Sequence, residues 1–513
     1  MGKRAIVIGA GFGGIASALR TRAKGYEVLL LDRCPQLGGR AQVFERNGYR
    51  HDAGPTVITA PFLFEELFSL YSKCLKDYVQ LVPLNPWYRF RFPDGSYFNY
   101  GGTVEDTLAE IERFSPPDRN GYLNLVAESK KIFQVGFERL SDMPFHNFST
   151  MVGLVPELIS LGTHRTVWQL VTKHIRHPWL QRAFSVSPLL VGGNPFDTTC
   201  IYSLIHYLER KWGVLFAMGG TGALVKALGT LMTEAGIQIQ LNTTVERILT
   251  EQGAATGVAL SDGKKLRADL VISDVDPAFL YSKMLDRTPA VSRLKLKAAH
   301  YSMGLFVLYF GTTRKYDDVA HHTIWFGDRY RELLKDIFYR QHLAKDFSLY
   351  VHRPTATDAS FAPPGCDSWY VLAPVPNLQS GTDWNTIAEE YGNSILKALE
   401  ETMMPGLREC VTERFHMTPR DFQERYLSVH GAGFSVAPIF RQSAWFRFHN
   451  RSEGIRNLYL VGAGTHPGAG LPGVITSAKV VDRLIHPLTN GRQEHDPRDA
   501  QDFEEERQEL LVR

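Results

Sequence analysis

Near the start of the chain, two short runs of apolar residues flank a segment with a helical pattern of apolar positions. An apolar run at residues 5–8 ends in the segment GAGFGG at residues 9–14. A stretch rich in Ala and Leu follows, Gly25 closes it, and a second apolar run at residues 28–31 ends on Asp32. Short apolar runs on either side of a helical pattern are typical of buried parallel strands. The pattern therefore predicts a strand, a glycine turn, a helix and a second strand.

The middle of the chain changes from a hairpin pattern to a helical one. Residues 81–100 alternate aromatic and polar positions around a Pro-Asp-Gly turn, which predicts a β-hairpin. Residues 103–199 are predicted to be mostly helical, with a break at the Ser-Pro-Pro sequence of residues 115–117. We predict a further helix after the segment MGGTG at residues 218–222.

Strand patterns return in the second half. The runs at residues 237–241 and 268–273 are short and apolar, and we expect them to rejoin the first sheet. Residues 301–311 and 366–375 also predict strands. The aromatic-rich segment between these two strands is predicted to be helical.

A last strand, at residues 457–462, runs through a glycine-rich turn into a helix predicted from Val474 to Ile485. Glycine-rich turns between a strand and a helix therefore occur at both ends of the chain, so we expect one domain to be closed by its C-terminal segment. Residues 488–513 are charged and poor in apolar residues, which predicts a flexible tail.

The length, charge and cysteine content of the chain disfavour several kinds of protein and site. A chain of 513 residues needs two or three subdomains. The net charge of +3 disfavours nucleic acid as the main partner. The five cysteines are scattered without a CxxC pair, so we expect reduced thiols and neither a zinc site nor a redox disulfide. We also expect no metal at His321 and His322, because adjacent side chains point apart and no third ligand is spaced nearby.

The chain has no run of about 18 apolar residues that would predict a membrane-spanning helix. The first strand begins at about residue 3, which leaves no room for a signal peptide. Residues 131–190 mix basic residues and tryptophans with apolar positions, as an interfacial membrane helix does, although a core helix with a solvated basic face fits equally well. We therefore expect a protein of the cytoplasm or of the cytoplasmic face of a membrane.

The first glycine turn predicts a nucleotide site. Gly9 would make the tight turn, Gly11 would let the backbone approach a pyrophosphate, and Gly14 would let the helix pack on the strand. The helix N-terminus would face the phosphates. Asp32, at the end of the next strand, suits a ribose hydroxyl and disfavours the 2′-phosphate of NADP. The Gly-centred segments at residues 38–40 and 51–58 suggest a second pass of backbone near the cofactor, or simply two turns.

With these motifs in one order, the chain resembles the bacterial-type phytoene desaturases of the flavin amine oxidase-like superfamily. The resemblance runs to about residue 487 and rests on DAGPTVIT at residues 52–59, LLVGGNPF at 189–196, GGTG at 219–222, VLAPVP at 371–376 and the turn from Gly462 to Gly473. It implies an α/β fold with a discontinuous Rossmann-type FAD-binding domain, a mixed α+β substrate domain and a helical membrane-associating subdomain.

The resemblance also implies domain boundaries and FAD contacts. Residues 1–70, 218–285 and 430–487 would form the FAD domain; residues 71–110, 204–217 and 286–429 the substrate domain; and residues 111–203 the helical subdomain. The implied FAD-binding residues are Gly9, Gly11, Gly13, Gly14, Asp32, Arg33, Gly39, Arg40, Gly54, Pro55, Thr56, Val245, Gly464, Gly473 and Val474.

The implied reaction places successive double bonds in phytoene, a C40 hydrocarbon, to give neurosporene or lycopene. A hydride would pass to flavin N5 and a proton would leave the adjacent carbon. Asp52, with Arg40 beside it, is the candidate catalytic carboxylate, but Asp52 suits an equally plain role in holding its loop, and water or flavin could take the proton instead. No second GxGxxG unit or CxxC pair is present, so oxygen or a membrane quinone is the expected electron acceptor.

Three other functions stay open at this point. An amine oxidase would want an acid after the last strand, where Ala463 and Gly464 stand. A carotenoid desaturase or isomerase acting on a later intermediate would use the same scaffold. A non-enzymatic prenyl-binding protein is disfavoured by the intact glycine turn, Asp32 and Arg40.

Overall fold

The computed structural model describes residues 2–488. Its strands, in chain order, are β1 Arg4–Ile8, β2 Glu27–Leu31, β3 Val43–Arg46, β4 Tyr49–Asp52, β5 Leu81–Pro83, β6 Tyr88–Arg91, β7 Tyr97–Tyr100, β8 Leu215–Ala217, β9 Gln238–Gln240, β10 Val245–Glu251, β11 Ala254–Leu260, β12 Lys265–Arg267, β13 Leu270–Ser273, β14 Gly304–Thr312, β15 His322–Trp325, β16 Leu349–His352, β17 Asp367–Val375, β18 Val411–Met417 and β19 Leu458–Leu460. The predicted tail lies outside the described residues, except for Leu488.

The helices of the same part of the chain are α1 Phe12–Ala23, α2 Phe62–Ser69, α3 Val104–Glu112, α4 Asp118–Phe133, α5 Phe148–Ser160, α6 Val167–His174, α7 Pro178–Ser185, α8 Leu204–Trp212, α9 Gly220–Glu234, α10 Pro277–Lys283, α11 Ala290–Ala298, α12 Tyr330–Lys335, α13 Trp384–Thr402, α14 Leu407–Cys410, α15 Pro419–Tyr426 and α16 Leu471–Leu484. None of them is long and apolar enough to cross a membrane.

A five-stranded parallel sheet in the order β19-β13-β1-β2-β9 forms the first layer. The predicted strand, turn, helix and strand at residues 4–31 are confirmed as β1, α1 and β2. Alternate residues of β1 face opposite sides: Ala5 and Val7 pack under α1, whereas Ile6 and Ile8 pack under the β10–β12 sheet. Both faces are covered, so β1 and β2 are continuously apolar.

The predicted return of the chain to this sheet is also confirmed. Strands β9 and β13 pair with β2 and β1, and β19 pairs with β13. The last helix, α16, begins at Leu471, three residues earlier than predicted, and packs against α1.

A seven-stranded mixed sheet in the order β18-β14-β17-β16-β15-β6-β7 forms the second layer. The hairpin predicted in residues 81–100 is its edge, β6 and β7. The helix predicted between the strands at residues 301–311 and 366–375 is largely wrong, because β15 and β16 lie there beside the short helix α12. Each of these strands has four residues and is buried on both faces, so neither shows the alternation that marks a strand in a sequence.

Helices α3–α7 confirm the predicted helical segment, including its break between α3 and α4. Several of its basic residues are engaged in ion pairs: Arg165 and Lys173 contact Glu128 of α4 at 2.7 and 2.8 Å. Most of the apolar exposure of this layer lies on α5, where Phe148, Val152, Val155 and Ile159 are each at least 41% exposed.

Candidate active site

A cavity of about 560 Å³ extends from the glycine turn of α1 into the space between the mixed sheet and the helical layer. Its walls include the carboxyl ends of β1 and β2, residues of β14, β16 and β17, and one face of α8. Ligands of open parallel sheets bind at this edge, outside the carboxyl ends of the strands.

At one end of the cavity the backbone of the glycine turn is exposed to a ligand. Gly11 caps α1 and has no side chain, and the Asp274 carboxyl lies close enough to interact with the Gly11 and Gly14 N–H groups at the start of the helix. Gly9 has a φ of 98°, and a Cβ on Gly14 would lie 1.9 Å from the carbonyl oxygen of Gly9. The turn thus depends on glycine and presents a helix N-terminus suited to an anion.

Asp32 is held rigidly at the end of β2. One carboxylate oxygen accepts the Ala10 N–H at 2.6 Å and the other accepts the Cys34 N–H at 2.7 Å. A carboxylate has about four acceptor positions, so two remain for hydroxyl groups of a ligand in the cavity.

Arg40 supplies the positive charge of this end. Its Nη2 donates to Ser428 Oγ at 2.5 Å, and its Nε is buried without a hydrogen-bond partner. Asp274 lies against the glycine turn, where burial raises the pKa of its carboxyl to about 7, opposed by the Gly14 N–H and by Arg40. A nucleotide diphosphate would therefore meet a cation with an unused donor and an acid whose charge is suppressed by burial.

Most of the residues implied as FAD ligands line the cavity. They are Gly9, Gly11, Asp32, Arg33, Gly39, Arg40, Gly54, Pro55, Thr56, Val245, Gly464, Gly473 and Val474. Gly13 and Gly14 lie behind this surface: a Cβ on Gly13 would approach the Asp274 carboxylate to 2.5 Å, and one on Gly14 would strike the Gly9 carbonyl. These two glycines shape the turn, while the others face the ligand.

The structure does not bring Asp52 to the cavity. Its side chain is fully buried behind the wall, where Oδ1 accepts the Thr221 N–H of α9 at 3.1 Å. Asp52 therefore holds β4 against the start of α9, which agrees with the loop-holding role that the sequence analysis left open beside the catalytic one.

Glu209, which the sequence analysis missed, lines the cavity instead. It follows Leu208 on α8, accepts the Tyr88 O–H at 3.0 Å, and is 3% exposed. Burial raises the pKa of this carboxyl to about 7. The sequence does carry a signal for Glu209. This acid lies one residue after Leu208 and four residues after Ile205, which places it on the apolar face of an amphipathic helix.

Away from the glycine turns the walls are mainly aliphatic and aromatic. They combine one face of α5, the inner face of α8 and the apolar strands of the mixed sheet, and include Met151, Leu154, Leu158, Val186, Leu189, Leu190, Leu204, Leu208, Leu305, Phe326, Tyr350 and Leu372. Such a surface gains binding energy from apolar area and offers few hydrogen bonds to a ligand.

Comparison with known proteins agrees with this geometry. The family model described as flavin containing amine oxidoreductase matches residues 12–481. The chain is 46% identical over 486 residues to the lycopene-forming phytoene desaturase of Pantoea ananas, covering 94% of this chain and 99% of that one. It is 43% identical over 494 residues to the neurosporene-forming phytoene desaturase of Rhodobacter capsulatus, covering 94% of each.

An oxidoreductase of Methanosarcina mazei has the same fold, with a TM-score of 0.64 and 19% identity, covering 94% of this chain and 100% of that one. The flavin cofactor, FAD, fits the glycine-lined end of the cavity, where the glycine turn before α1, the orphaned Nε of Arg40 and the spare acceptors of Asp32 lie together. The chain belongs to the flavin-containing amine oxidoreductases and, within them, to the family of bacterial phytoene desaturases.

Proposed function

We propose that the chain is an FAD-dependent phytoene desaturase that introduces successive double bonds into phytoene, giving neurosporene or lycopene. The observation that carries the proposal is the continuity of the cavity, which joins a glycine-lined nucleotide end to a long apolar end. A hydrocarbon without polar groups requires this kind of wall. A small polar amine would require charged or hydrogen-bonding partners at the apolar end.

The chain's own residues would bind and orient both reactants. The start of α1 and Arg40 would hold the FAD diphosphate, Asp32 the ribose, and the turn at Gly464 the flavin end. When bound, FAD supplies a hydride acceptor. The apolar walls exclude water and align the polyene, which is the main contribution a protein can make to a reaction of this kind.

Glu209 is the proposed proton acceptor. It is the carboxylate on the apolar wall, and its pKa of about 7 lets it exist in both protonation states near neutral pH. The Tyr88 hydroxyl fixes one of its oxygens, so the other would be free to receive a proton from the substrate carbon.

We propose that α5 contacts the membrane that holds the substrate. The exposed face of α5 carries Phe148, Val152, Val155 and Ile159, spaced by three or four residues. The adjoining face, with Met151, Leu154 and Leu158, lines the cavity. A helix placed in this way could pass a hydrocarbon from the lipid to the cavity without exposing it to water. The cytoplasmic face of the membrane is the proposed location.

The domain division expected from the sequence remains a proposal. It is supported by the origin of the sheets: the parallel sheet uses residues 4–31, 238–240, 270–273 and 458–460, and the mixed sheet uses residues 88–100 and 304–417. Oxygen or a membrane quinone is the proposed electron acceptor.

The test uses purified protein with FAD and liposomes that contain 15-cis-phytoene, without nicotinamide, followed by chromatography of the extracted polyenes. Neurosporene or lycopene is the expected product, and the last one formed gives the number of steps. Unchanged phytoene in the presence of bound FAD would overturn the substrate assignment while leaving the fold and the cofactor in place.

A further inference from the structure

Three buried histidines lie together on the mixed sheet, next to the cavity but outside its lining. His322 of β15 pairs directly with His352 of β16, and His321 precedes His322. Each contributes a ring nitrogen to a group in which all three lie within 4.8 Å of one another. The three side chains are at most 6% exposed.

The outer nitrogens of two of these rings are held by oxygen atoms. His321 Nδ1 lies 2.7 Å from Thr357 Oγ1, and His322 Nδ1 lies 2.7 Å from the Tyr350 hydroxyl. With Nδ1–H donating to these oxygens, each Nε2 keeps its lone pair. Neither Nε2 has a hydrogen-bond partner, although both are buried.

The third ring has a carboxylate behind it. His352 Nε2 lies 3.9 Å from Asp52 Oδ2, and both ring nitrogens and this oxygen lack a hydrogen-bond partner. A carboxylate or hydroxyl behind each imidazole is the arrangement that orients histidine ligands around a metal. Buried polar atoms without a partner destabilise a folded protein, so a ligand that these nitrogens could bind would remove that cost.

We propose that His321, His322 and His352 bind a divalent metal ion of the zinc type. Three imidazoles with a fourth, open position match a known zinc ligand set. The Asp52 carboxylate offsets part of the ion's charge.

This site would fix one wall of the cavity. The Tyr350 hydroxyl contacts His322 on one side and Thr56 Oγ1 at 2.5 Å on the other, and Tyr350 and Thr56 both line the cavity. A metal would therefore anchor Tyr350 from behind and connect β4, through Asp52, to β15 and β16.

The sequence analysis expected no metal here, because adjacent histidines should point apart. That geometric expectation is wrong: His321 lies just before β15, so its ring turns toward that of His322, with centroids 4.6 Å apart. The third histidine comes from the next strand of the sheet, which sequence spacing alone does not indicate.

The experiment measures metal content by mass spectrometry in tag-free, FAD-loaded protein, as purified and after incubation with Zn²⁺ and removal of the excess. We expect about one zinc ion per chain in the wild type and a loss of most of it in His352→Gln. His206→Gln is the matched control, since His206 is also buried but does not belong to the group of possible metal ligands found among the described residues. It should keep its zinc. Flavin absorbance reports whether each variant is folded.

Cobalt exchange provides a measurement that needs no variant. Co²⁺ bound to three imidazoles should give visible d–d absorption bands that zinc displaces. Wild-type protein that takes up neither zinc nor cobalt would overturn the proposal and leave ordered water as the partner of these rings. Full zinc content in a folded His352→Gln protein would overturn the ligand assignment.

Discussion

Tyr88 donates a hydrogen bond of 3.0 Å to Oε1 of Glu209 and thereby joins the edge of the mixed sheet to helix α8. Burial raises the pKa of Glu209 to about 7, and the Tyr88 bond acts in the opposite direction. The two side chains together decide at which pH a charged carboxylate faces the apolar end of the cavity.

Replacing the carboxylate tests its role in proton removal. Glu209→Gln keeps the size and the Tyr88 contact but cannot accept a proton, so we expect turnover to fall by about 10²–10⁴-fold. The initial rate of phytoene loss in the liposome assay measures it, with flavin content as the check on folding. Glu112→Gln, at an exposed position, is the control. A Glu209→Gln enzyme as fast as the wild type would assign proton removal to water.

The pH profile tests the hydrogen bond itself. Wild-type turnover should rise with pH through about 7 as Glu209 ionises. Tyr88→Phe removes a bond that stabilises the charged form, so the rising limb should move to higher pH by about one unit. A lower maximum with an unshifted limb would mean that Tyr88 only positions the substrate.

The stability of the folded protein should also depend on the protonation of Glu209. Because the pKa of Glu209 is higher in the folded protein than its ordinary value of 4.5, its contribution is full below that value and is lost as the pH rises through about 7. Glu209→Gln removes this loss, so the variant should gain on the wild type by an amount of the order of 3 kcal/mol between pH 5 and pH 8. Melting temperatures of both proteins across this range measure the effect. Parallel curves would contradict it.

Arg40 should set the affinity for FAD. Arg40→Gln removes the charge and the unused Nε donor, so we expect the FAD dissociation constant to rise by about 10–100-fold. Fluorescence titration of the flavin-free protein measures it. Arg119→Gln removes the same charge from an exposed position of α4 and should leave the constant unchanged. Equal affinities in the two variants would remove Arg40 from the diphosphate site.

The exposed face of α5 should determine membrane binding. Phe148→Ser with Ile159→Ser removes two side chains that are 53% and 64% exposed, so stability should change little. Partitioning to liposomes, measured by sedimentation, should weaken by about tenfold or more. Leu123→Ser, at an exposed apolar position of α4, is the control. If it weakens partitioning as much as the double variant does, the contact is not specific to α5.

The first strand–helix–strand unit of the parallel sheet and its nucleotide end follow from local sequence. The glycine turn, the apolar runs around it and Asp32 lie within residues 4–32, and their geometry depends on neighbours in the chain. The opposite wall of the cavity, formed by α8 and the mixed sheet, could not be predicted from local sequence. Burial raises the pKa of Glu209 and the bond from Tyr88, more than a hundred residues away, opposes this shift, so neither effect can be read from nearby sequence. Strands β15 and β16 carry no alternation because both of their faces are buried.

Asp52 is a second residue whose environment could not be predicted from nearby sequence. Its motif beside Gly54 and Pro55 allowed either a catalytic acid or a residue that holds its loop, and its buried side chain contacts Thr221 and lies near His352. Neighbouring side chains of a strand lie on opposite faces. A shift of one residue in the expected position therefore decides whether a side chain contacts the ligand or is buried behind the wall.

The placement of β19 beside β13, and of α16 against α1, sets an order of events during synthesis. The ribosome completes β1 and α1 first, yet the helix that covers them and the edge strand of their sheet come from residues 458–484. Contacts between such distant segments form late and slowly. The newly made glycine turn therefore stays incompletely covered until almost the whole described chain has emerged, and capture of FAD should be among the last steps of folding.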